Sequence, residues 1–223
     1  MPRLFAALPF AILILSGSAS AGERRLFEAT SHRRFDDVGR WKPIFEDPKR
    51  DEWQKPAEVV RALGLEPGTR VADLGAGTGY FMPYLSRAVG PSGTVFEVDV
   101  EPNLVVHLRE RAEKEKAGNV TPVLASLDDA RLPVGAVDMI LIVDTYHHLD
   151  DRRAYLARLK RSLSSRGRIA VVDWEAGDIP VGPEPEHKLP REQVIEEMRL
   201  VGYALTGEPK VIPYQYVLLF RPR

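Results

Sequence analysis

The chain has 223 residues, of which 44% are hydrophobic and 28% charged, and it contains no cysteine. A formal net charge of −1 offers no broad basic face to nucleic acid, and the absence of cysteine excludes disulfides, thiol nucleophiles and cysteine-based zinc sites. The length suits one α/β domain with short additions, large enough to bury one sizeable core.

Residues 1–21 read as an export signal. Met1-Pro2-Arg3 is a positive start, Leu4 to Leu15 an apolar run, and Ala19-Ser20-Ala21 a small-residue cleavage site. The apolar run of 12 residues is shorter than the roughly 20 a spanning helix needs. Cleavage predicts an exported protein, periplasmic in a bacterium, of 202 residues and net charge −2, without stable membrane insertion. Without cleavage the chain stays tethered or cytoplasmic. Residues 22–54 are polar, charged and aromatic with no long apolar period, which predicts an arm with one or two short helices. Phe35, Trp41, Phe45 and Trp53 on this arm need apolar cover. Residues 55–223 form the main domain.

From Pro56 onward helices and strands alternate. Ala57 to Leu63 reads as a helix with proline near its first turn. Arg70 to Leu74 is a short buried strand, followed by Gly75-Ala76-Gly77-Thr78-Gly79 and a helix from Tyr80 to Val89. Thr94 to Asp99 is a strand, Glu101 to Lys116 a helix, Val120 to Ala125 a strand, and Val137 to Val143 an apolar central strand. Asp151 to Leu163 is a helix, Gly167 to Asp173 a strand, 174–190 a Pro/Gly-rich loop, and Arg191 to Val201 a helix. Tyr203 to Glu208 and Val211 to Phe220 then pair as a hairpin. The alternation predicts an α/β fold with a parallel sheet covered on both faces.

The glycine stretch is the most specific feature. A turn of this kind at the carboxyl end of a parallel strand is where open α/β sheets bind nucleotides. Dinucleotide-dependent oxidoreductases use G-x-G-x-x-G, but this chain has G-x-G-x-G with Tyr80 at the third dinucleotide position. Asp73, directly before the glycines, suits a cationic ligand better than a pyrophosphate. Asp99 lies 22 positions after Gly77, where such folds hold a ribose with an acid, or where the same acid caps the next helix.

With Asp73-Leu74-Gly75-Ala76-Gly77-Thr78-Gly79 after a strand, the chain resembles the class I S-adenosylmethionine-dependent methyltransferases over roughly residues 55–220. The resemblance implies a Rossmann-like three-layer sandwich, with a seven-stranded, mostly parallel sheet whose last strand is antiparallel. S-adenosylmethionine is then the cofactor, and the acceptor a small molecule of unnamed type. The implied cofactor contacts are Asp73, Gly75, Ala76, Gly77 and Gly79, then Asp99 on the ribose with Val100 beside the adenine. The family has an adenine-binding Asp before a Leu-Pro pair, here Leu132-Pro133. Counting back from the pair selects Asp128, with Leu127 an apolar neighbour, whereas counting forward from the strand selects Ser126.

Ubiquinone and menaquinone methyltransferases carry a segment similar to Asp144-Thr145-Tyr146-His147-His148-Leu149. The resemblance places Asp144 and Thr145 beside the sulfonium and its amino-acid tail, and Tyr146, His147 and His148 toward the acceptor. A histidine there suits a general base, or is held structurally by a neighbour. Tyr80 and Phe81 lie near the expected methyl position, and His187, Lys55 and Trp53 are further candidates for the acceptor pocket. The adjacent histidines lack supporting ligands, so no metal is expected. Two other readings stand beside this one: a non-catalytic nucleotide-binding protein of the same fold, and a nicotinamide-dependent oxidoreductase. Export also pulls against the cofactor, which is made in the cytoplasm.

Overall fold

The computed structural model describes residues 26–223, so the export segment lies outside the described residues. Seven strands form one sheet: β1 (Arg70–Leu74), β2 (Thr94–Asp99), β3 (Val120–Leu124), β4 (Val137–Val143), β5 (Leu163–Trp174), β6 (Tyr203–Gly207) and β7 (Gln215–Pro222). Their order is β3-β2-β1-β4-β5-β7-β6. The first five pair in parallel, while β7 runs antiparallel to both β5 and β6.

β4 lies at the centre because its alternate residues are apolar on both sides. Ile140 and Ile142 enter one core with Ala72, Leu74 and Val171, while Met139 and Leu141 enter the other with Val71 and Val172. Burying each such side chain contributes about 1.5–3 kcal/mol, so β4 is the costliest strand to move to an edge. Helices α6 (Arg152–Leu159) and α7 (Arg191–Leu200) cover the first face through Leu156, Leu159, Val194 and Met198. Helices α3 (Pro56–Ala62) and α4 (Met82–Val89) cover the second through Val59, Val60, Leu85 and Val89. Helix α5 (Pro102–Lys114) joins that layer where Leu108 and Ala112 pack on Met82. The result is the expected three-layer sandwich.

Several boundaries differ from the sequence reading for local reasons. Pro83 must lie in the first turn of α4, so the helix begins at Met82 and leaves Tyr80 and Phe81 in the turn. β5 starts at Leu163 because Val137 pairs with Leu163 and Met139 with Arg168, a register shift that absorbs the polar Ser164-Ser165-Arg166. α6 ends at Leu159 and passes into a 3₁₀ turn over Lys160–Ser162. β7 starts at Gln215, after Pro213, which has no N–H to give a ladder.

The arm forms two short helices, α1 (Val38–Phe45) and α2 (Arg50–Gln54). Asp37 caps α1 by accepting from the Arg40 N–H. Phe35, Trp41 and Phe45 form an aromatic cluster with ring centroids 4.9–5.6 Å apart, and Trp53 meets Trp174 at 5.2 Å. Lys55 takes the left-handed conformation at φ 42°, which breaks the helix before Pro56. Upstream, the fully buried Arg152 holds Glu197 with two hydrogen bonds of 2.7 and 2.9 Å and donates to the carbonyls of Leu26 and Glu28. This buried ion pair fastens the start of the described chain to the core. Among the described residues no helix is long and apolar enough to cross a membrane.

Candidate active site

β1 and β4 are neighbours where the strand order reverses, so the turns leaving them face each other across a crevice. Gly75 has φ +79°, and a Cβ there would lie 2.2 Å from the Thr145 hydroxyl oxygen. Only glycine lets the exit of β4 lie so close to this turn. Gly77, at φ +58°, donates its N–H to Asp99 Oδ2 at 2.8 Å. A side chain at Gly77 would begin 3.4 Å from the ring of Phe45, so the bare backbone at this point faces the arm. The Gly75 and Ala76 N–H groups donate to the Val98 carbonyl, and a Cβ at Gly79 would press on Leu108 at 2.9 Å.

Three carboxylates converge under the turn. Asp73 is 3% exposed. Burial pushes its carboxyl up to about 7; Arg50 pulls it down and Asp99 pushes it further up. Asp99 is pushed up to about 6 by burial, opposed by the N–H groups of Glu101 and Gly77. Its Oδ1 accepts from Glu101 at 2.9 Å, so the acid ties both the glycine turn and the start of α5. A carboxylate has about four acceptor positions, which leaves room for a ribose hydroxyl beside these two bonds. Glu97, opposite Asp73 in the β1–β2 register, is fully buried with both oxygens unpartnered among the described residues. Burial, and then Asp73, hold it well above the ordinary glutamate range. No sequence pattern marked Glu97.

The exit of β4 sorts its residues into distinct environments. Asp144 adopts φ +51°, a left-handed conformation costing a non-glycine residue about 1–3 kcal/mol and concentrated at functional sites. Its carboxylate accepts from Arg50 at 3.1 Å and from the Gln215 amide, and burial raises it to about 6 against Arg50. Thr145 donates to the Val143 carbonyl at 2.8 Å. Tyr146 departs from the expectation that it faces the acceptor. It is fully buried in the core, and its hydroxyl donates to Glu197 at 3.0 Å in the Arg152 network.

The two histidines also part company. His147 Nδ1 lies 2.9 and 3.1 Å from the Asp173 oxygens, with both side chains buried. Burial works against the imidazolium, but the Asp173 charge and hydrogen bond outweigh it, and His147 titrates above the ordinary histidine value. His148 has Nδ1 3.0 Å from the Ser31 carbonyl and packs edge-on to Phe35. Burial and the neighbouring His147 lower it to about 4, so it stays neutral and anchors the arm. His187 is likewise engaged with the arm: its Nδ1 lies 2.6 Å from the Thr30 carbonyl, while Thr30 donates to His147 and His187 carbonyls. Asp173 was missed from the sequence because it lies 26 residues from its partner, at the end of an apolar strand.

The other end of the crevice is open. Val100 is 39% exposed and Leu127 72% exposed, on the turns after β2 and β3, which the Ala125 N–H to Asp99 carbonyl bond joins. Exposed apolar side chains on neighbouring turns suit the faces of a purine. Ser126 donates to Asp128 Oδ1 at 2.9 Å, so both adenine candidates lie on one tight turn. Among the described residues no group of three or more His, Asp or Glu is placed to hold a metal.

The donor set fits a nucleoside with a cationic tail: an acid at the ribose position, apolar faces beyond it, and two buried carboxylates at the glycine turn. A family model described as a methyltransferase domain matches residues 71–167. The ubiquinone/menaquinone biosynthesis C-methyltransferase of Shewanella halifaxensis is 28% identical over 134 residues, covering 60% of this chain and 50% of that protein. The chain thus spans about half the length of the curated relatives it matches. A SAM-dependent methyltransferase from Aquifex aeolicus has a solved structure with TM-score 0.78 and 29% identity, covering 82% of this chain and 97% of that one. An N-methyltransferase of Haemonchus contortus, solved with S-adenosylhomocysteine and phosphomonomethylethanolamine, shares the fold at 20% identity and TM-score 0.56, covering 68% and 37%. By its sheet order, its glycine turn and these likenesses, the chain is similar to the class I S-adenosylmethionine-dependent methyltransferases, with residues 71–167 matching a methyltransferase domain.

Proposed function

We propose that this chain is an enzyme that methylates a small-molecule acceptor, with His147 as general base. The observation that carries the reading is a buried His147–Asp173 pair at the exit of β4, next to the strained Asp144 and to Thr145, which meets the glycine turn. When bound, S-adenosylmethionine supplies a methyl already activated on a sulfonium. Asp73, Asp99, Asp144 and the glycine backbone would hold it, with Val100, Leu127 and the Ser126–Asp128 turn around its base. The protein's part is then mainly to hold the acceptor atom about 3–3.5 Å from that carbon and exclude water. Asp173 fixes the His147 ring with Nδ1–H toward the carboxylate, which leaves Nε2 to take the acceptor proton. A base is useful where that atom is a hydroxyl, a phenol or an acidic carbon. His148 serves as an anchor rather than a base.

The test is calorimetry with S-adenosylmethionine and NADH, followed by mass spectrometry of an acceptor panel. Binding of the sulfonium nucleotide with release of S-adenosylhomocysteine supports the reading, and binding of NADH alone refutes it. Residues 1–21 add a second proposal, export of the mature chain. N-terminal sequencing of fractionated protein tests it, and a chain recovered intact from the cytoplasm would refute it.

A further inference from the structure

The arm does more than cover the crevice: it places one cation inside it. Arg50, on α2, donates to Asp144 Oδ2 at 3.1 Å, to Gln54 Oε1 at 3.1 and 3.3 Å, and to the Phe45 carbonyl at 3.0 Å. Its guanidinium lies 4.1 Å from the centre of the Tyr80 ring. Gln54 is fully buried and donates to Gln215 at 2.5 Å, and Gln215 donates to Asp144, which closes a ring of polar side chains. A guanidinium has five N–H groups, of which these bonds use four, so one donor remains. Arg50 is 14% exposed at its side chain, enough for a ligand atom to reach it.

Charge counting gives that donor a partner. Asp73, Asp144 and Arg50 together carry −1 when the acids are ionised. The reacting end of S-adenosylmethionine carries a sulfonium, an ammonium and a carboxylate, net +1. Two acids match two cations, which leaves the carboxylate for the arginine. Resting on the cofactor assignment above, we propose that Arg50 receives the α-carboxylate of the amino-acid tail, so that the arm completes the cofactor site. The arm lies outside residues 71–167 that match the methyltransferase domain, so this contact belongs to the arm and not to the matched domain.

The experiment compares two ligands by calorimetry on the full chain. S-adenosylhomocysteine carries the amino-acid tail, and 5′-methylthioadenosine lacks it. Arg50→Ala should weaken S-adenosylhomocysteine about 10- to 100-fold, the range of a charge-assisted hydrogen bond, and leave methylthioadenosine within about twofold. Arg50→Lys, which keeps a point charge without the fork, should fall between the two. Unchanged S-adenosylhomocysteine affinity in Arg50→Ala overturns the proposal. So does an equal loss for both ligands, which would show that Arg50 only supports the crevice. If the unaltered chain binds neither ligand, the cofactor assignment itself has failed.

Discussion

The two ends of the crevice are built from different parts of the chain. Asp99, Val100, Ser126, Leu127 and Asp128 line the proposed nucleoside end, at the ends of two adjacent strands and on the turns after them, and Leu127 remains 72% exposed. The opposite end draws Asp73 from β1, Asp144 from the exit of β4, Gln215 from β7, and Phe45, Arg50 and Gln54 from the arm. It is closed, charged and strained where the first is open and plain. On the proposed assignments, the nucleoside end should treat adenosine ligands alike, whereas the arm end should discriminate their tails and, with His147–Asp173, set turnover.

The largest effect should fall on turnover alone. Asp173→Asn removes the charge that orients His147, and turnover should fall about 10²- to 10⁴-fold on whichever acceptor screening returns, with S-adenosylhomocysteine affinity unchanged. The sign of the accompanying pH shift follows from the site. His147 titrates above its ordinary value, and a base works deprotonated, so activity should rise with pH through a value above 6.5. With Asp173 neutral, burial dominates and that rise should move to lower pH. NMR titration of the His147 ring reads the same shift without an acceptor.

Next comes the anchor that seats the arm. Arg152→Met leaves Glu197 charged and buried with Tyr146 and Gln193 as remaining donors, which should cost about 3–5 kcal/mol in urea denaturation. Equal stability would mean that the arm is held without this pair.

Asp99→Ala probes the open end. It removes an acceptor for Gly77 and the proposed ribose contact, and should weaken S-adenosylhomocysteine and methylthioadenosine together, by about 10- to 100-fold. A loss confined to one ligand would erase the distinction between the two ends.

The smallest effect is a pH dependence of cofactor affinity. Burial raises Asp73 to about 7 and Asp144 to about 6, so both lose charge as pH falls through that range. A neutral carboxyl attracts a cation less, and S-adenosylmethionine affinity should fall about tenfold between pH 8 and 5.5, one pKa unit being worth about 1.4 kcal/mol. Methylthioadenosine should respond less, because a protonated Asp99 still hydrogen-bonds a hydroxyl. Parallel curves for the two ligands in calorimetry would contradict the assignment of Asp73 and Asp144 to the cationic tail.

The glycine turn, the apolar β4 and the acid ending β2 were legible because each is a local pattern whose spacing matches strand, turn or helix geometry. The arm's two short helices were legible only as an absence of long apolar periodicity. Arg50 stood in the same charged stretch as Lys49 and Asp51, with nothing local to separate it from a solvated face. The separation came from Asp144, 94 residues away. His147 and His148 were equivalent in the sequence, and Tyr146 looked as well placed as either. A 3₁₀ turn over Tyr146–His148 sends Tyr146 into the core, His147 to Asp173 and His148 to the arm.

The order of amino acids by itself determined the α/β class, the position of the glycine turn and the acids Asp73 and Asp99 beside it, since backbone freedom and side-chain periodicity act within a few residues. Tertiary structure alone decided which histidine is charged more readily, which tyrosine is buried, and that an arginine from the arm enters the crevice. Those outcomes depend on burial and on charges brought together from distant strands, and electrostatic energy follows distance in space, whatever the separation along the chain.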